Sequence, residues 1–153
     1  MEEELVGKVA LITGGRSGMG RAVAQLLAEK GASIVIVSRN KDELENVARE
    51  ISESAKNENV LAIAGDVSNE ADVKTTVDKT IQEFKHIDYL LNFAGYVENY
   101  GKISPFRPSP EALEYYRKIR SVDQDGTIMM VFYVEPIMRK QNSGVIITIS
   151  SSP

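Results

Sequence analysis

Cysteine is absent from the 153-residue sequence, and histidine occurs only once. Without cysteine the chain has no disulfide framework, no thiolate zinc site and no cysteine nucleophile. A single histidine also provides too few nitrogen ligands for an ordinary transition-metal site. We therefore expect no bound metal, and we expect His86 to be a residue of a connecting loop.

Excess positive charge and long apolar runs are also missing. The sequence has 18 Lys and Arg residues against 22 Asp and Glu residues, with a net charge of -4. The basic residues are scattered, so nothing indicates a nucleic-acid partner. No apolar run approaches the ~20 residues that a membrane-spanning helix needs. The acidic start, Met1-Glu2-Glu3-Glu4, is unlike a signal or transit peptide. These features predict a soluble, cytoplasmic protein.

The sequence alternates short apolar runs with amphipathic segments, and its length suits one domain covering 1–153. Five runs have the length and composition of buried strands. They are 8–12, 33–37, 60–64, 89–93 and 145–150. Helical spacing and capping signals lie between them. The first predicted helix covers 21–30 and ends at Gly31, and the second runs from Asn40, with Glu43 completing a capping box, to about 51. The third is capped by Ser68. The fourth runs from Ser109-Pro110 to about 139, with a break near Asp125-Gly126.

The predicted order of elements defines the fold class. Buried strands separated by helices require crossover connections, which give a parallel sheet covered on both faces. Right-handed crossovers make this a doubly wound, Rossmann-like α/β sheet, for which we predict five strands in the order 3-2-1-4-5. Val145, Ile146 and Ile147 would then lie on an edge strand whose exposed apolar flank invites pairing with another chain.

A glycine-rich segment, TGGRSGMG at 13–20, joins the first predicted strand to the first helix. Glycines permit a tight turn and a close approach of the backbone to a pyrophosphate, and the amides at a helix N-terminus favour an anion. The segment therefore predicts a nucleotide-phosphate site. The alternative is a tight turn without a ligand.

The spacing TGxxxGxG resembles the short-chain dehydrogenase/reductase family, and other segments agree with that family. The run GKVALITGG at 7–15 is similar to the family's first strand and turn, and Asp66-Val67 to its adenine-contacting Asp. Asn92-Phe93-Ala94-Gly95 is similar to the family motif NNAG, with Phe93 in place of the second Asn. The resemblance implies a nicotinamide-dependent oxidoreductase acting on a small carbonyl or alcohol, usually as a homo-oligomer. It also implies that the last two strands of the family sheet are absent here. The predicted cofactor-binding residues are Gly14, Arg16, Ser17, Gly18, Met19, Gly20, Ser38, Arg39, Asp66, Val67, Asn92, Ala94 and Gly95.

The end of the second strand predicts which cofactor is preferred. An acidic residue there binds both ribose hydroxyls and repels a 2′-phosphate, which selects NAD. This sequence has Ser38-Arg39 instead, and Arg16 lies in the glycine turn. Two guanidinium groups near one phosphate form charge-assisted hydrogen bonds, so we predict NADP(H) over NAD(H). The alternative is that both arginines are solvated surface charges.

The catalytic residues that the resemblance implies are a Tyr, a Lys four residues later, a Ser and an Asn. None of the six tyrosines in this sequence has Lys at the fourth following position. In the family this pair follows the fifth strand, beyond residue 153, so we interpret the chain as a truncated or shortened member. Ser151 best matches the family Ser. Asp123 stands at the family Asn position and cannot donate an amide hydrogen bond.

Three functional hypotheses follow from this pattern. The first is an NADP(H)-dependent oxidoreductase whose Tyr and Lys lie outside this chain. The second is an NADP(H)-binding module or remnant without turnover, and the third is an oligomerising partner subunit. For the chain as it stands we expect binding without independent catalysis. Tyr96, Tyr100 and Phe106, in a loop after the fourth strand, either line a substrate pocket or cover the core.

Overall fold

The computed structural model describes residues 4–96 and 107–150. Its five strands form one parallel sheet in the order β3-β2-β1-β4-β5, which confirms the predicted fold class and strand order. The strands are β1 (Val9–Thr13), β2 (Ser33–Ser38), β3 (Val60–Ala64), β4 (Tyr89–Asn92) and β5 (Val145–Thr148). The helices are α1 (Gly18–Glu29), α2 (Lys41–Ala55), α3 (Glu70–Phe84), α4 (Pro110–Ile119) and α5 (Gly126–Gln141), with a π-helical turn (Arg120–Asp125) between the last two.

The capping prediction is correct for two helices and wrong for one. Asn40 accepts a hydrogen bond from the Glu43 amide at the start of α2, and Ser109 accepts one from Ala112 at the start of α4. The cap of α3 is Asn69 and not Ser68, because the Ser68 hydroxyl already donates to Asp66 at 2.6 Å. Neighbouring polar residues both have the chemistry of a cap, so spacing alone did not separate them.

The long helical segment near the end of the chain changes its geometry at Asp125-Gly126, where we expected a break. A π-helical turn follows α4 and ends at Asp125, and α5 begins at Gly126 without an intervening loop. Gly126 has a packing role: a Cβ there would lie 2.8 Å from Val67 Cγ2. The glycine that indicated a break therefore allows the helix to approach the segment after β3.

Two apolar clusters cover the two faces of the sheet. Alternate residues of β1 contribute to both, since Leu11 packs with α3 and α5 residues and Ile12 with α1 and α2 residues. Both side chains are fully buried, and burial of a side chain of this size stabilises a fold by about 1.5–3 kcal/mol. The clusters fix the parallel sheet, so the carboxyl ends of its strands meet at one edge.

The β5 strand lies at the edge of the sheet, as predicted. Val145 is 48% exposed and Ile147 is 45% exposed. Within residues 4–96 and 107–150, no helix has the length and apolar content needed to cross a membrane.

Candidate dinucleotide site

The glycine turn is fixed to the carboxyl ends of three adjacent strands. At the end of β1, buried Thr13 Oγ1 accepts hydrogen bonds from the amides of Phe93 and Ala94, each at 3.2 Å. The Gly14 amide donates to the Val37 carbonyl at 3.0 Å. These bonds connect the turn to the ends of β2 and β4, so its position follows from the sheet.

The glycines of the turn have different structural roles. Gly14 has φ +69° and a Cβ there would lie 2.7 Å from the Phe93 carbonyl group, while a Cβ at Gly20 would lie 2.4 Å from the Gly14 carbonyl oxygen. Both positions therefore require glycine for packing within the protein. Gly18 has φ +56°, but among the residues that the structure describes, a Cβ there would meet no atom within 4 Å beyond its chain neighbours and its own helix backbone. Of these three glycines, Gly18 is the one that leaves space beside the turn.

The N-terminus of α1 faces this space. Its N-cap, Ser17, has an extended backbone and makes no side-chain capping bond, and the first turn of α1 contains no acidic residue. Asn40, Asn69 and Ser109 cap α2, α3 and α4 with their side chains. Amides at an uncapped helix N-terminus, together with the helix dipole, favour an anionic group.

A groove of about 290 Å³ extends along the carboxyl edge of the sheet. It is lined by twelve of the thirteen residues predicted to bind the cofactor, all except Asn92. Five further residues line it: Val37, Gly65, Phe93, Tyr96 and Val122. Val37 and Phe93 lie at or next to strand ends, so the general rule for ligand sites in such sheets could have identified them. Val122 lies on the π-helical turn, which has no recognisable sequence pattern.

Asn92 is not brought to the groove. It is 4% exposed, and its Nδ2 lies 3.4 Å from Thr148 Oγ1 on the neighbouring strand. Its Oδ1 is buried and has no hydrogen-bond partner among the residues that the structure describes. The side chain thus links β4 to β5, whereas Phe93 and Ala94, which follow the strand, line the groove.

Asp66 lies in the groove as an ionised acceptor. Burial alone raises the pKa of its carboxyl, but two hydrogen bonds from Ser68 and the charges of Lys118 and Arg39 outweigh this effect. The net pKa is below the ordinary value of 3.8. Both Ser68 bonds reach Oδ1, at 2.6 Å from the hydroxyl and 2.9 Å from the amide.

The two arginines predicted to bind a phosphate line the same groove. Arg39 directly follows β2, and its charge acts on Asp66. The Arg16 guanidinium forms an exposed ion pair with Glu43, a residue of the first turn of α2. Both cations therefore lie near the end of β2. Arg16 is paired there with Glu43, the residue that we expected to act only in the capping box of α2.

Asp123 joins the π-helical turn to the segment after β4. Its Oδ1 accepts a hydrogen bond from the Tyr96 amide at 2.8 Å. Partial burial raises the pKa of Asp123 and the bond from Tyr96 lowers it, with a net value above the ordinary 3.8.

Tyr96 also lines a second, more open groove of about 700 Å³ beside α4. Its ring lies 5.8 Å from the ring of Tyr115, with Lys118 Nζ 6.0 Å from its centroid. Tyr96 thus packs on α4 and borders both grooves. The predicted catalytic Ser151 and the loop residues Tyr100 and Phe106 lie outside the described residues.

Comparisons with known proteins identify the family. The family model described as short chain dehydrogenase matches residues 8–153. An 11-beta-hydroxysteroid dehydrogenase-like 2 of Arabidopsis thaliana is 39% identical over 150 residues, which cover 98% of this chain and 46% of the relative. An uncharacterized oxidoreductase of Staphylococcus aureus is 33% identical over 147 residues, covering 96% of this chain and 59% of the relative.

Solved structures show the same relationship. The L-sorbose reductase of Gluconobacter frateurii, complexed with NADPH and L-sorbose, has a TM-score of 0.82 and 32% identity, covering 97% of this chain and 54% of that one. A short-chain type dehydrogenase/reductase from Mycobacterium ulcerans has a TM-score of 0.87 and 28% identity, covering 97% and 52%. The chain belongs to the short-chain dehydrogenase family of oxidoreductases. It spans about half the length of the curated relatives that it matches.

Proposed function

We propose that this chain binds a nicotinamide dinucleotide across the carboxyl edge of its sheet, with the pyrophosphate at the glycine turn. The observation that carries this proposal is the open position at Gly18, next to the uncapped start of α1 and inside a groove lined by both arginines. In this proposal Asp66 accepts a hydrogen bond from the adenine amino group, and its ionised carboxylate, a pure acceptor that lines the groove, supports this role.

The preferred cofactor in this proposal is NADP(H). The residue that ends β2 is Ser38, so no carboxylate at that position repels a 2′-phosphate. Arg39 and Arg16 both line the groove. Hydrogen bonds between guanidinium and phosphate contribute about 1.5–3 kcal/mol each when well formed. Among structural neighbours, one is complexed with NADPH and a xylitol dehydrogenase with NAD⁺, so this preference depends on the residues of this chain.

The reaction we propose is the reduction of a small carbonyl compound, or the reverse oxidation of an alcohol. A bound cofactor would supply the hydride chemistry, and a phenol with a lowered pKa would supply the proton. No tyrosine of this sequence has a lysine four residues later. We therefore propose that these 153 residues bind the cofactor without turnover, as a binding module, unless a longer chain or a second chain provides that pair.

A second candidate function is that of an oligomerising partner subunit. It is favoured by the β5 edge, where Val145, Ile147 and Ile149 are each nearly half exposed. An apolar edge strand can pair with another chain, and a homo-oligomer is the simplest such assembly.

The proposed preference is tested with the variant Arg39→Asp. This change reverses the charge beside the proposed 2′-phosphate, so we expect NADPH affinity to fall by tenfold or more, about 1.4 kcal/mol or more, with a smaller change for NADH. The matched control is Arg49→Asp, because Arg49 is an exposed residue of α2 that does not line the groove. Calorimetric titration measures both. Equal NADPH affinity in the two variants would remove Arg39 from the site.

A further inference from the structure

One of the two arginines in the groove forms an ion pair with a residue that does not line it. The Arg16 guanidinium, which lines the groove, donates to Glu43 Oε2. Glu43 itself is absent from the lining and belongs to the first turn of α2. Its amide donates to Asn40 Oδ1 at 3.2 Å, which fixes the backbone of this turn directly after Arg39.

The position of Glu43 is favourable for a negative charge without any ligand. Carboxylates are stabilised at the N-terminus of a helix, and Glu43 lies in the first turn of α2. The ion pair with Arg16 is exposed on both sides, with 46% of the arginine side chain and 51% of the glutamate side chain accessible. Such pairs are weak and screened by salt, so a stronger anion can compete for the guanidinium.

We propose that Glu43 is a specificity-determining residue that limits the preference for NADP(H). It neutralises Arg16 in the ligand-free protein, so this guanidinium must be released from Glu43 before it can pair fully with a 2′-phosphate. When NADP(H) binds, its 2′-phosphate must share Arg16 with Glu43 or replace Glu43 as the partner of Arg16. NAD(H) has a hydroxyl at that place and does not compete for Arg16. The inference rests on the proposed function, because it assumes that the dinucleotide lies along this groove.

The test compares Glu43→Gln with a matched control. Glu50 is a second exposed carboxylate on α2, and it pairs with Arg21 of α1 at 2.5 Å, outside the groove. Both substitutions remove one negative charge from α2, and each breaks one exposed ion pair with an arginine. Because exposed ion pairs are weak, we expect Glu43→Gln to raise the ratio of NADPH to NADH affinity by about two- to fivefold, and Glu50→Gln to leave it unchanged.

A double variant shows whether the effect passes through the guanidinium. In an Arg16→Gln background, the Glu43→Gln change should lose most of its effect, since no cation remains to be released. The effect should also shrink as salt concentration rises. The wild type, Glu43→Gln, Arg16→Gln and the double variant are each titrated with NADPH and NADH at two salt concentrations.

The outcomes separate this inference from the proposed function. If NADPH binds the wild type and Glu43→Gln leaves the ratio unchanged or lowers it, Glu43 does not oppose the phosphate and the inference is wrong. An equal rise in the Glu50→Gln control would also contradict it, because the effect would then come from net charge. If neither dinucleotide binds the folded wild type, the proposed function itself fails.

Discussion

The sharpest structural prediction concerns a single methyl group at Gly18. In the variant Gly18→Ala the new Cβ would meet no atom of residues 4–96 and 107–150 within 4 Å, apart from its chain neighbours and the backbone of its own helix, so it would project into the space proposed for the pyrophosphate. Its cost to the fold is the strain of a positive φ of +56°. For an alanine this amounts to about 1 kcal/mol, or roughly 2–4 °C in Tm for a protein of this size. We expect dinucleotide affinity to fall by about tenfold or more.

Two other glycines provide the controls. Gly7 has φ +77° and does not line the groove, and within the described part of the chain a Cβ there would have no atom within 4 Å other than those of its chain neighbours. Gly7→Ala should therefore show a similar loss of Tm with unchanged cofactor affinity. Gly14→Ala adds a contact of 2.7 Å with the Phe93 backbone, so it should destabilise the fold by about 2–5 kcal/mol. Gly14 is consequently a poor probe of the ligand.

The assays are thermal unfolding for stability and calorimetric titration with NADPH for affinity. The reasoning is refuted if Gly18→Ala and Gly7→Ala bind NADPH equally well. That result would mean that the backbone at Gly18 does not approach the ligand, and that the open space beside the turn has another use.

Two further predictions concern the carboxylates of the site. Asp66→Ala should weaken NADPH and NADH binding to a similar extent, because the proposed adenine contact is common to both. The lowered pKa of Asp66 means that its ionised form stabilises the fold at pH 7, so the Tm difference between wild type and variant should shrink as the pH falls below 3.8. A difference in Tm that is independent of pH would contradict this. Asp123 has a raised pKa, so its ionised form costs stability above that pKa. Asp123→Asn, which keeps an oxygen for the Tyr96 amide, should raise the Tm at pH 7, with a gain that disappears below pH 3.8; a lower Tm at pH 7 would oppose this reasoning.

The fold could be predicted from the sequence because each strand is short, apolar and followed by a turn signal. The parallel arrangement and the order 3-2-1-4-5 then follow from crossover geometry. Element ends were less accurate: α1 begins at Gly18, where we expected 21, so the end of the glycine-rich segment also forms the start of the helix. The π-helical turn could not be predicted, since it depends on how α4 and α5 pack and carries no local pattern.

The site could be predicted where backbone geometry defines it. The glycine turn, the end of β2 and Asp66 all lie at carboxyl ends of parallel strands, and the structure brings them together in one groove. Asn92 was assigned by motif alone, and its place inside the strand turns its side chain toward β5. The ion pair between Arg16 and Glu43 was missed because 27 positions separate the two residues, and only the folded βαβ unit makes them neighbours.

The most direct test of the account is a calorimetric titration of the 153-residue protein with NADPH and with NADH, with circular dichroism to confirm that it is folded. The account predicts saturable binding of both, with NADPH tighter, and a tenfold or larger loss of NADPH affinity on Gly18→Ala. A folded protein that binds neither dinucleotide would contradict it, because the chain would then keep the architecture of the family without its ligand.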